Sequence, residues 1–432
     1  MAVRSKNRPK NRDPSLAVVL SRQRGEGEGE TISASQAELE KLLDGLGIRV
    51  VGSVVQARRQ RRGGAFIGAG KLEELKALLA EQEALHGEGS ILLAVDDEVR
   101  PGDLIQLEKE CEVPIVDRTG VVLRVFEQRA RTPIAVLEVE IARLRYEAPR
   151  VREDETLGDR EGGGGRGERG HTNVELQKQR IRERLVILRR KLETMTAADV
   201  RQRGTRKGEL RVAIVGYTNA GKSSLMRVLT DGSAMVEDKL FATLGSTVRA
   251  LSPPSSPPVY ISDTVGFIRN LPHELVASFH STLAEAREAS LLLHVVDASD
   301  PEWPVQIQVT REGLTAVGAG DLPELLVFNK VDLVSEETRA ELAAYRPSAL
   351  QLSALDPADL PELRAAILQA LDAELHEGEL HVPFREGRLL ASIRSRARVL
   401  SEAATESGFA LSVRALAPDI ERWRAQLTPA RG

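Results

Sequence analysis

One eight-residue segment with two glycines, a lysine and a serine offers the clearest chemistry in this 432-residue sequence. It reads Gly216-Tyr-Thr-Asn-Ala-Gly-Lys-Ser223, a GxxxxGK[ST] pattern between an apolar run at 211–215 and a helical pattern at 224–229. That context is typical of a phosphate loop, in which Lys222 reaches the β and γ phosphates and the Ser223 hydroxyl ligates Mg2+. The residues predicted to contact a nucleoside triphosphate are Gly216, Tyr217, Thr218, Asn219, Ala220, Gly221, Lys222, Ser223 and Ser224.

Three further short motifs follow in the order of a doubly wound phosphate-loop domain. The carboxylate of Asp263-Thr-Val-Gly266 can hold the metal through water, and its last glycine can meet the γ-phosphate. Asn329-Lys-Val-Asp332 ends in a carboxylate that can accept hydrogen bonds from both guanine donors, a pair that adenine lacks. Ser353-Ala-Leu355 is suited to closing over the base. The four motifs together predict GTP rather than ATP, and the added contacts are Asp263, Gly266, Asn329, Lys330, Asp332, Ser353, Ala354 and Leu355.

A segment with two threonines between the phosphate loop and Asp263 is the place for the first switch. It reads Leu240-Phe-Ala-Thr-Leu-Gly-Ser-Thr247. A threonine there can add its hydroxyl to Mg2+ only while the γ-phosphate is present. We favour Thr243 as that ligand and keep Thr247 as the alternative. The predicted metal ligands are Ser223, Thr243 and Asp263.

Phe267 follows Gly266, at the position where Ras-type GTPases carry a glutamine that orients the attacking water. A phenylalanine cannot orient water, so we expect slow intrinsic hydrolysis. The missing group must come from elsewhere in the chain, from a monovalent cation or from a partner. The Asn219 carbonyl could ligate potassium beside the phosphates, and local bracing of the loop is its alternative role. The predicted catalytic residues are Lys222, Thr243, Gly266 and Asn219.

The segment from Asp263 to Ala277 resembles the second-switch signature of the HflX GTPases. It reads Asp263-Thr-Val-Gly-Phe-Ile-Arg-Asn-Leu-Pro-His-Glu-Leu-Val-Ala277, and Phe241-Ala-Thr-Leu244 resembles the family's first switch. Upstream, Phe66-Ile-Gly-Ala-Gly-Lys-Leu-Glu-Glu-Leu75 and Tyr146-Glu-Ala-Pro-Arg150 are also similar, so the resemblance covers nearly the whole chain. It implies a GTPase that binds the large ribosomal subunit and its RNA and that splits or rescues stalled ribosomes. A ribosome assembly GTPase and a GTP-dependent binding switch with little turnover remain the alternatives.

Two segments depart from the family's pattern. Gly245-Ser246 stands where the family usually has Asp-Pro, which should loosen the first switch. The family's glycine-rich segment normally reads Gly-Pro-Gly-Glu-Thr before a helix with an Asp-Arg-Arg run. This chain has Gly162-Gly-Gly-Gly-Arg-Gly-Glu-Arg-Gly-His171 and then Gln177-Lys-Gln179. We therefore expect the contacts of this segment to differ from those of the family.

Composition favours a protein with several hydrophobic cores in a reducing compartment. The length exceeds what one core usually serves, and 41% of the residues are hydrophobic. Cys111 is the single cysteine, which excludes an internal disulfide framework and predicts a packed thiol. No apolar run approaches the roughly 18 residues of a membrane span, and the apolar piece at 16–20 is too short for a signal-peptide core. We expect a cytoplasmic monomer that binds GTP or GDP, does not bind DNA and has no membrane span.

We predict an α/β fold. A phosphate-loop GTPase domain is preceded by an N-terminal α/β domain and a basic helical pair, and is followed by a small C-terminal α/β domain. Strands and helices alternate over the first 150 residues, which favours parallel strands. The predicted divisions are a disordered basic tail at 1–13, the N-terminal domain at 14–150, a glycine-rich loop at 151–173, a basic helical linker at 174–207, the GTPase domain at 208–379 and the C-terminal domain at 380–432.

The segment after the glycine-rich loop predicts a basic helix. Ile181, Leu185, Leu188 and Leu192 alternate at spacings of four and three, which is typical of the seam of a helical pair. A local basic patch on a chain of net charge -4 favours phosphate backbones, and a solvated helix face is the alternative. Aromatic residues make up only 3% of the chain, so RNA backbone contacts are expected to outweigh base stacking. The basic residues are Lys178, Arg180, Arg182, Arg184, Arg189, Arg190, Lys191, Arg201, Arg203, Arg206 and Lys207.

Local signals complete the prediction. Thr132-Pro133 predicts a helix start with a capping hydroxyl and a proline in the first turn. Gly68-Ala-Gly-Lys71 predicts a turn rather than a second nucleotide site. Near the C-terminus we expect an amphipathic helix through Leu389, Ile393 and Val399, a strand at 409–413, and a structural role for His381.

Overall fold

The computed structural model describes residues 14–23, 29–57, 66–130, 132–151, 173–204, 208–230, 247–269 and 284–427. These residues form two compact units, the first ending at Thr194 and the second beginning at Met195. Within these ranges, each helix is too short or too polar to span a bilayer.

The first unit contains a parallel sheet of four strands in the order β2-β1-β3-β4. The strands are β1 (Leu16–Gln23), β2 (Arg49–Ala57), β3 (Ile91–Val95) and β4 (Ile115–Asp117). The helices are α1 (Gly29–Gly45), α2 (Ala69–His86), α3 (Pro101–Cys111), α4 (Arg118–Arg129) and α5 (Pro133–Glu147). Alternation of strands and helices predicted this parallel sheet, and the prediction is confirmed. Cys111 packs in its core.

The helix α4 was not predicted from the sequence. Asp117 begins it, because its carboxylate accepts a hydrogen bond from the backbone amide of Gly120 at 2.9 Å. The same carboxylate also accepts hydrogen bonds from Tyr146 at 2.7 Å and from Arg150 at 3.0 Å. An aspartate before an apolar run was the available signal. The start of α5 is confirmed, since Thr132 Oγ1 accepts a hydrogen bond from the amide of Ala135 at 3.2 Å.

One long helix, α6 (Asn173–Gly204), follows the glycine-rich segment. The predicted basic helical pair is therefore a single basic helix. Leu188 is buried, whereas Ile181 and Leu192 are only half-buried. Arg184 of α6 forms an ion pair with Glu140 of α5 at 2.8 Å, so the non-basic helix α5 is a packing partner.

The second unit contains a six-stranded sheet in the order β10-β9-β8-β5-β7-β6. The strands are β5 (Leu210–Gly216), β6 (Thr247–Ala250), β7 (Val259–Asp263), β8 (Leu291–Asp297), β9 (Glu324–Asn329) and β10 (Leu350–Gln351). Only β6 runs antiparallel to its neighbour among these strands. The helices are α7 (Lys222–Leu229), α8 (Ala284–Arg287), α9 (Trp303–Ala316), α10 (Glu336–Tyr345) and α11 (Leu360–Leu371).

A small antiparallel sheet in the order β11-β13-β12 completes the second unit. Its elements are β11 (His376–Pro383), α12 (Gly387–Arg396), β12 (Arg398–Ala404), β13 (Gly408–Ala415) and α13 (Ala417–Leu427). Ile393, Val413 and Trp423 are fully buried in its core.

One prediction about this small sheet needs correction. Val399 lies in β12 rather than in the helix, because α12 ends at Arg396 and pairing with Val413 of β13 takes over. The strand β11 begins the sheet at His376, and the domain boundary at 380 stays a prediction. His381 bonds Thr405 Oγ1 through its Nε2 at 3.0 Å, which fits a structural role.

Candidate nucleotide site

The four motifs meet at one edge of the six-stranded sheet. The strands β5, β7, β9 and β10 belong to its parallel part, so their carboxyl ends lie on the same side. Gly216 ends β5, Asp263 ends β7, Asn329 ends β9, and Ser353 follows β10 by two residues. Ligands of open α/β sheets bind at this edge. The structure thus brings together the segments that the sequence predicted to form one site.

Two positions of the phosphate loop accept only glycine. The φ angle is 146° at Gly216 and 94° at Gly221, values that side chains rarely adopt. A Cβ atom on Gly216 would lie 2.1 Å from the carbonyl oxygen of Val295. A Cβ atom on Gly221 would lie 2.1 Å from Nδ2 of Asn329. The loop therefore passes against two neighbouring strands with no space for a side chain.

Lys222 is buried in the phosphate loop, with 7% of its surface exposed. Its Nζ donates hydrogen bonds to the carbonyl oxygens of Gly216 at 3.1 Å and Tyr217 at 2.6 Å. Burial lowers the pKa of the Lys222 amine to about 8, and the nearby charge of Asp263 opposes this shift. Burial disfavours the charged form of the amine, and an anion beside it would stabilise that form. The negative oxygens of a phosphate chain can do this.

Ser223 and Asp263 place two hard oxygen donors side by side. Ser223 Oγ donates a hydrogen bond to Asp263 Oδ2 at 3.0 Å, across 40 residues of sequence. Mg2+ prefers one or two protein oxygens together with phosphate oxygens and water, so the pair fits this ion. A group of three or more His, Cys, Asp or Glu side chains suited to a metal is absent from the described part of the chain. Thr243 lies outside the described residues, as does the side chain of Thr247.

Gly266 lies directly against the phosphate loop. A Cβ atom at this position would lie 2.9 Å from Lys222 Nζ and 2.9 Å from Thr218 Cγ2. Two backbone hydrogen bonds tie its neighbour to the loop: Phe267 N donates to Gly216 O at 3.1 Å, and Thr218 N donates to Phe267 O at 2.8 Å. The amide of Gly266 therefore belongs to a segment held in register with the loop.

The side chain of Phe267 packs into the domain. Its ring is 3% exposed and lies against α9, where a Cβ atom on Gly313 would be 2.3 Å from the ring. The sequence predicted that Phe267 cannot orient water. The structure adds that its ring stabilises the contact between the second switch and α9.

Asn329 connects three of the motifs. Its Nδ2 donates to the carbonyl oxygen of Ala220 at 2.8 Å, and its Oδ1 accepts from the amide of Ala354 at 2.9 Å. Its neighbour Lys330, with φ 65°, forms an ion pair with Asp297 at 2.6 Å. One asparagine thus fixes the spacing between the phosphate loop and the segment predicted to close over the base.

Asp332 lies at the rim of an open cavity of about 420 Å³. Ser353 and Leu355 also line this cavity, and Leu355 is 75% exposed. The amide of Ser353 is held by Asp359 Oδ2 at 2.7 Å, and Ser353 Oγ accepts from the amide of Leu355 at 3.3 Å. The exposed carboxylate and the braced loop leave room for a planar base.

Sequence reasoning missed two side-chain contacts that position the site. Asp297 ends the apolar strand β8 and holds Lys330, in the way that Asp263 ends β7, so the signal was present. Tyr217 accepts a hydrogen bond at its hydroxyl from the amide of Arg269 at 2.8 Å. Nothing in the spacing of the motif indicates that contact.

A buried histidine lies behind the phosphate loop on β8, beside Val215 of β5. His294 is fully buried, and its Nδ1 bonds Glu324 at 2.6 Å. Burial lowers the pKa of His294, and Glu324 partly opposes this shift. The pKa of Glu324 is lowered to about 2, because hydrogen bonds from His294 and Arg311 outweigh the effect of its own burial. This cluster joins β8, β9 and α9.

Three family models match the chain. Residues 33–127 match a GTP-binding GTPase N-terminal region, residues 129–206 a GTP-binding GTPase middle region, and residues 211–330 a 50S ribosome-binding GTPase. The chain is 42% identical to GTPase HflX of Gluconacetobacter diazotrophicus, over 95% of this chain and 98% of that protein. It is 35% identical to GTPase HflX of Escherichia coli, over 90% of each.

A solved structure is also similar. The GTP-binding protein from the hyperthermophilic archaeon Sulfolobus solfataricus in complex with GDP matches 82% of this chain and 98% of its own chain. The identity is 23% and the TM-score is 0.42. Because this score is below 0.5, the assignment to a family depends on the sequence relatives and the family models.

Proposed function

We propose a function for this chain from one established premise: it belongs to the HflX family of GTPases and hydrolyses GTP. The proposal is that the nucleotide state controls its binding to the large ribosomal subunit, and that it splits or rescues stalled ribosomes in the cytoplasm. One observation carries this proposal most directly. The chain combines a GTP site of four converging motifs with a long helix, α6, whose exposed face is basic.

Each residue of the site has a role in this proposal. Lys222 binds the β and γ phosphates, and the amide of Gly266 meets the γ-phosphate. Ser223 and Asp263 hold Mg2+, and Asp332 reads guanine. When bound, Mg2+ neutralises charge on the phosphates. Thr243 is proposed as a further ligand in the first switch, and the remaining contacts are those of the phosphate loop, Asn329, Lys330, Ser353, Ala354 and Leu355.

The hydrolysis that these residues support is an in-line attack of water on the γ-phosphorus. The buried Lys222 amine stabilises the charge that develops on the phosphoryl oxygens, and loop amides add to this effect. Because the site is built from backbone groups held by β5 and β7, these donors need little rearrangement during the reaction.

Potassium is proposed as the ion that completes catalysis, through Asn219. This residue has φ 62° and an exposed side chain. Within the part of the chain that the structure describes, that side chain makes no hydrogen bond, which disfavours the bracing role. Its carbonyl is therefore available to a monovalent cation beside the phosphates.

The basic face of α6 supports RNA as the partner. A helix that neutralises phosphates releases counterions, so binding should weaken steeply with salt. Only Arg184 among its described basic side chains forms an ion pair with another helix. The exposed basic residues are Lys178, Arg180, Arg182, Arg184, Arg189, Arg190 and Lys191.

The test is GTP turnover with and without purified large ribosomal subunits, in potassium and in sodium. We expect strong stimulation by the large subunit and a lower rate in sodium. Small subunits serve as the control particle. A rate that no particle changes would contradict the ribosomal role and leave a GTP-dependent binding switch, and preference for precursor particles would favour an assembly GTPase.

A further inference from the structure

We propose that the hydroxyl of Thr218 is a catalytic group that orients the attacking water at the γ-phosphate. It would take over the role of the glutamine that orients water in Ras-type GTPases, whose position is occupied here by Phe267 with its ring packed against α9. The inference depends on the placement of GTP proposed above and on the GTPase activity of the chain. It does not depend on the ribosome.

The first observation is an enclosed oxygen without a partner. Thr218 is 6% exposed, and its backbone amide is already bonded to the carbonyl oxygen of Phe267 at 2.8 Å. Its Oγ1 is buried but has no hydrogen bond to any described residue. Buried hydroxyls are nearly always hydrogen-bonded, so an exception in a binding loop points to a ligand or a water.

The second observation is the position of the side chain. A Cβ atom on Gly266 would lie 2.9 Å from Thr218 Cγ2 and also 2.9 Å from Lys222 Nζ. The methyl group of Thr218 and the amine of Lys222 therefore both lie next to the backbone of Gly266. A rotation of about 120° around the Cα–Cβ bond of Thr218 moves the hydroxyl to the methyl position. The hydroxyl then lies beside Gly266, whose amide is proposed above to meet the γ-phosphate.

The third observation is that the other hydroxyls of the loop are engaged. Ser223 Oγ donates to Asp263, and the Tyr217 hydroxyl accepts from the amide of Arg269. The ring of Phe267 is held against α9 at Gly313. Among the three hydroxyls of the segment 216–223, that of Thr218 is thus the one with no hydrogen bond to a described residue.

The bonds formed and broken in the hydrolysis of GTP are the same with or without the Thr218 hydroxyl. The water oxygen forms a bond to the γ-phosphorus while the bond from that phosphorus to the β–γ bridging oxygen breaks. The water's protons pass to the phosphate product and to solvent. Thr218 accepts a hydrogen bond from the water and takes up no proton, so its contribution is orientation in the transition state.

The test compares Thr218→Val with Thr218→Ser in the full chain, under single-turnover conditions without ribosomes. Valine keeps the shape and removes the hydroxyl, whereas serine keeps the hydroxyl and removes the methyl group. We expect Thr218→Val to lower the hydrolysis rate by about 100- to 1000-fold, the order seen when one transition-state contact is removed. We expect GDP affinity to be unchanged, and Thr218→Ser to keep most of the rate.

A second readout separates catalysis from structure. GDP with aluminium fluoride mimics the transferring phosphoryl group, so Thr218→Val should weaken its binding by about the same factor as the rate. The control is Thr310→Val, because the hydroxyl of this buried threonine on α9 is already committed to Gln306 O at 2.8 Å. It should hydrolyse GTP at the wild-type rate.

Several results would overturn the inference. They are a wild-type rate for Thr218→Val, an equal loss for valine and serine, or a parallel loss of GDP and GDP–aluminium fluoride binding. If Thr218→Val does not fold, Thr218→Ala takes its place against Thr218→Ser. Because no ribosome is present, failure here leaves the proposed partner untouched, and failure of subunit stimulation leaves the Thr218 comparison intact.

Discussion

The hydroxyl of Tyr217 accepts a hydrogen bond from the backbone amide of Arg269 at 2.8 Å. The carbonyl oxygen of the same tyrosine accepts a hydrogen bond from Lys222 at 2.6 Å. One residue therefore contacts both the lysine proposed to bind the γ-phosphate and Arg269 within the second switch. Arg269 also forms an ion pair with Glu302 at the beginning of α9. If a nucleotide displaces Lys222 from the Tyr217 carbonyl, the movement can reach Arg269 in the second switch through this one tyrosine.

We predict that Tyr217→Phe loosens the second switch at Arg269 with little change in GTP affinity. The variant removes one buried hydrogen bond, worth about 1 kcal/mol, but keeps the backbone contact with Lys222. Hydrogen exchange should become faster at the Arg269 amide. Tyr260→Phe on β7 is the matched control and should leave that amide unchanged. Equal exchange in wild type and Tyr217→Phe would show that the hydroxyl does not hold the switch.

Gly221→Ala should abolish tight nucleotide binding. The added methyl would meet Asn329 Nδ2 at 2.1 Å and would break its bond to Ala220, at a position with φ 94°. Backbone strain alone costs about 1–3 kcal/mol. Gly318→Ala is the control, because Gly318 has φ 77° but its nearest contact would be at 3.9 Å.

Titration with GDP and thermal unfolding would measure both effects. Gly318→Ala should lose stability and keep its nucleotide affinity. If Gly221→Ala binds GDP normally, the close approach of the loop to Asn329 is not needed for binding.

The sequence was sufficient to predict which segments form the site. Parallel strands present their carboxyl ends at one edge, so motifs at the ends of β5, β7 and β9 had to meet. It was also sufficient for the parallel sheet of the first unit, because strands and helices alternate there. These features depend on local pattern and on connection rules, which a single sequence contains.

Other features depend on tertiary packing and were not predictable. The contact of Asn329 with Ala220 joins residues 109 positions apart. The direction of the Phe267 ring depends on the space beside Gly313. The end of α12 at Arg396, before Val399, follows from strand pairing in the small sheet, which outweighs the helical spacing of its apolar residues.

GTP binding should be accompanied by proton uptake near pH 8. Burial of the Lys222 amine lowers its pKa to about 8 from its ordinary value of 10.5. The unfolded chain holds this proton at higher pH than the folded one, so the protein without nucleotide gains stability as pH rises from 8 towards 10.5. Phosphates beside the amine should raise its pKa again.

Calorimetry at pH 8 in two buffers of different ionisation heat would detect this uptake. Lys222→Arg is the comparison, since a guanidinium stays charged throughout this range. If any residual binding by Lys222→Arg takes up as many protons as wild type, the proton belongs to another group.

The His294–Glu324 cluster should make the GTPase domain sensitive to acid. The pKa of Glu324 is lowered to about 2 from its ordinary value of 4.5. The contribution of this carboxylate to folding stability is therefore present above pH 4.5 and is lost as the pH falls towards 2. The pKa of His294 is also lowered, so the unfolded chain takes up this proton first and the domain loses folding stability as the pH falls below 6.5. Glu324→Gln should reduce stability at neutral pH and flatten its decline between pH 4.5 and 2.

Urea unfolding across this pH range would measure the effect. Glu312→Gln is the control, because Glu312 lies on α9 and bonds only the exposed Gln308 among the described residues. An unchanged pH profile in Glu324→Gln would show that the pKa shift does not contribute to folding.

The lysines of α6 should contribute to ribosome affinity through phosphate contacts. Lys178→Gln combined with Lys191→Gln removes two exposed charges from the basic face. We expect weaker binding to large subunits. The slope of the logarithm of the binding constant against the logarithm of the salt concentration should become shallower by about one unit per lysine. The matched control is Lys71→Gln with Lys76→Gln on α2, where both lysines pair with glutamates. Binding would be measured by sedimentation with subunits at several potassium chloride concentrations. Equal salt slopes in the two double variants would show that α6 does not contact the ribosomal RNA backbone through these lysines.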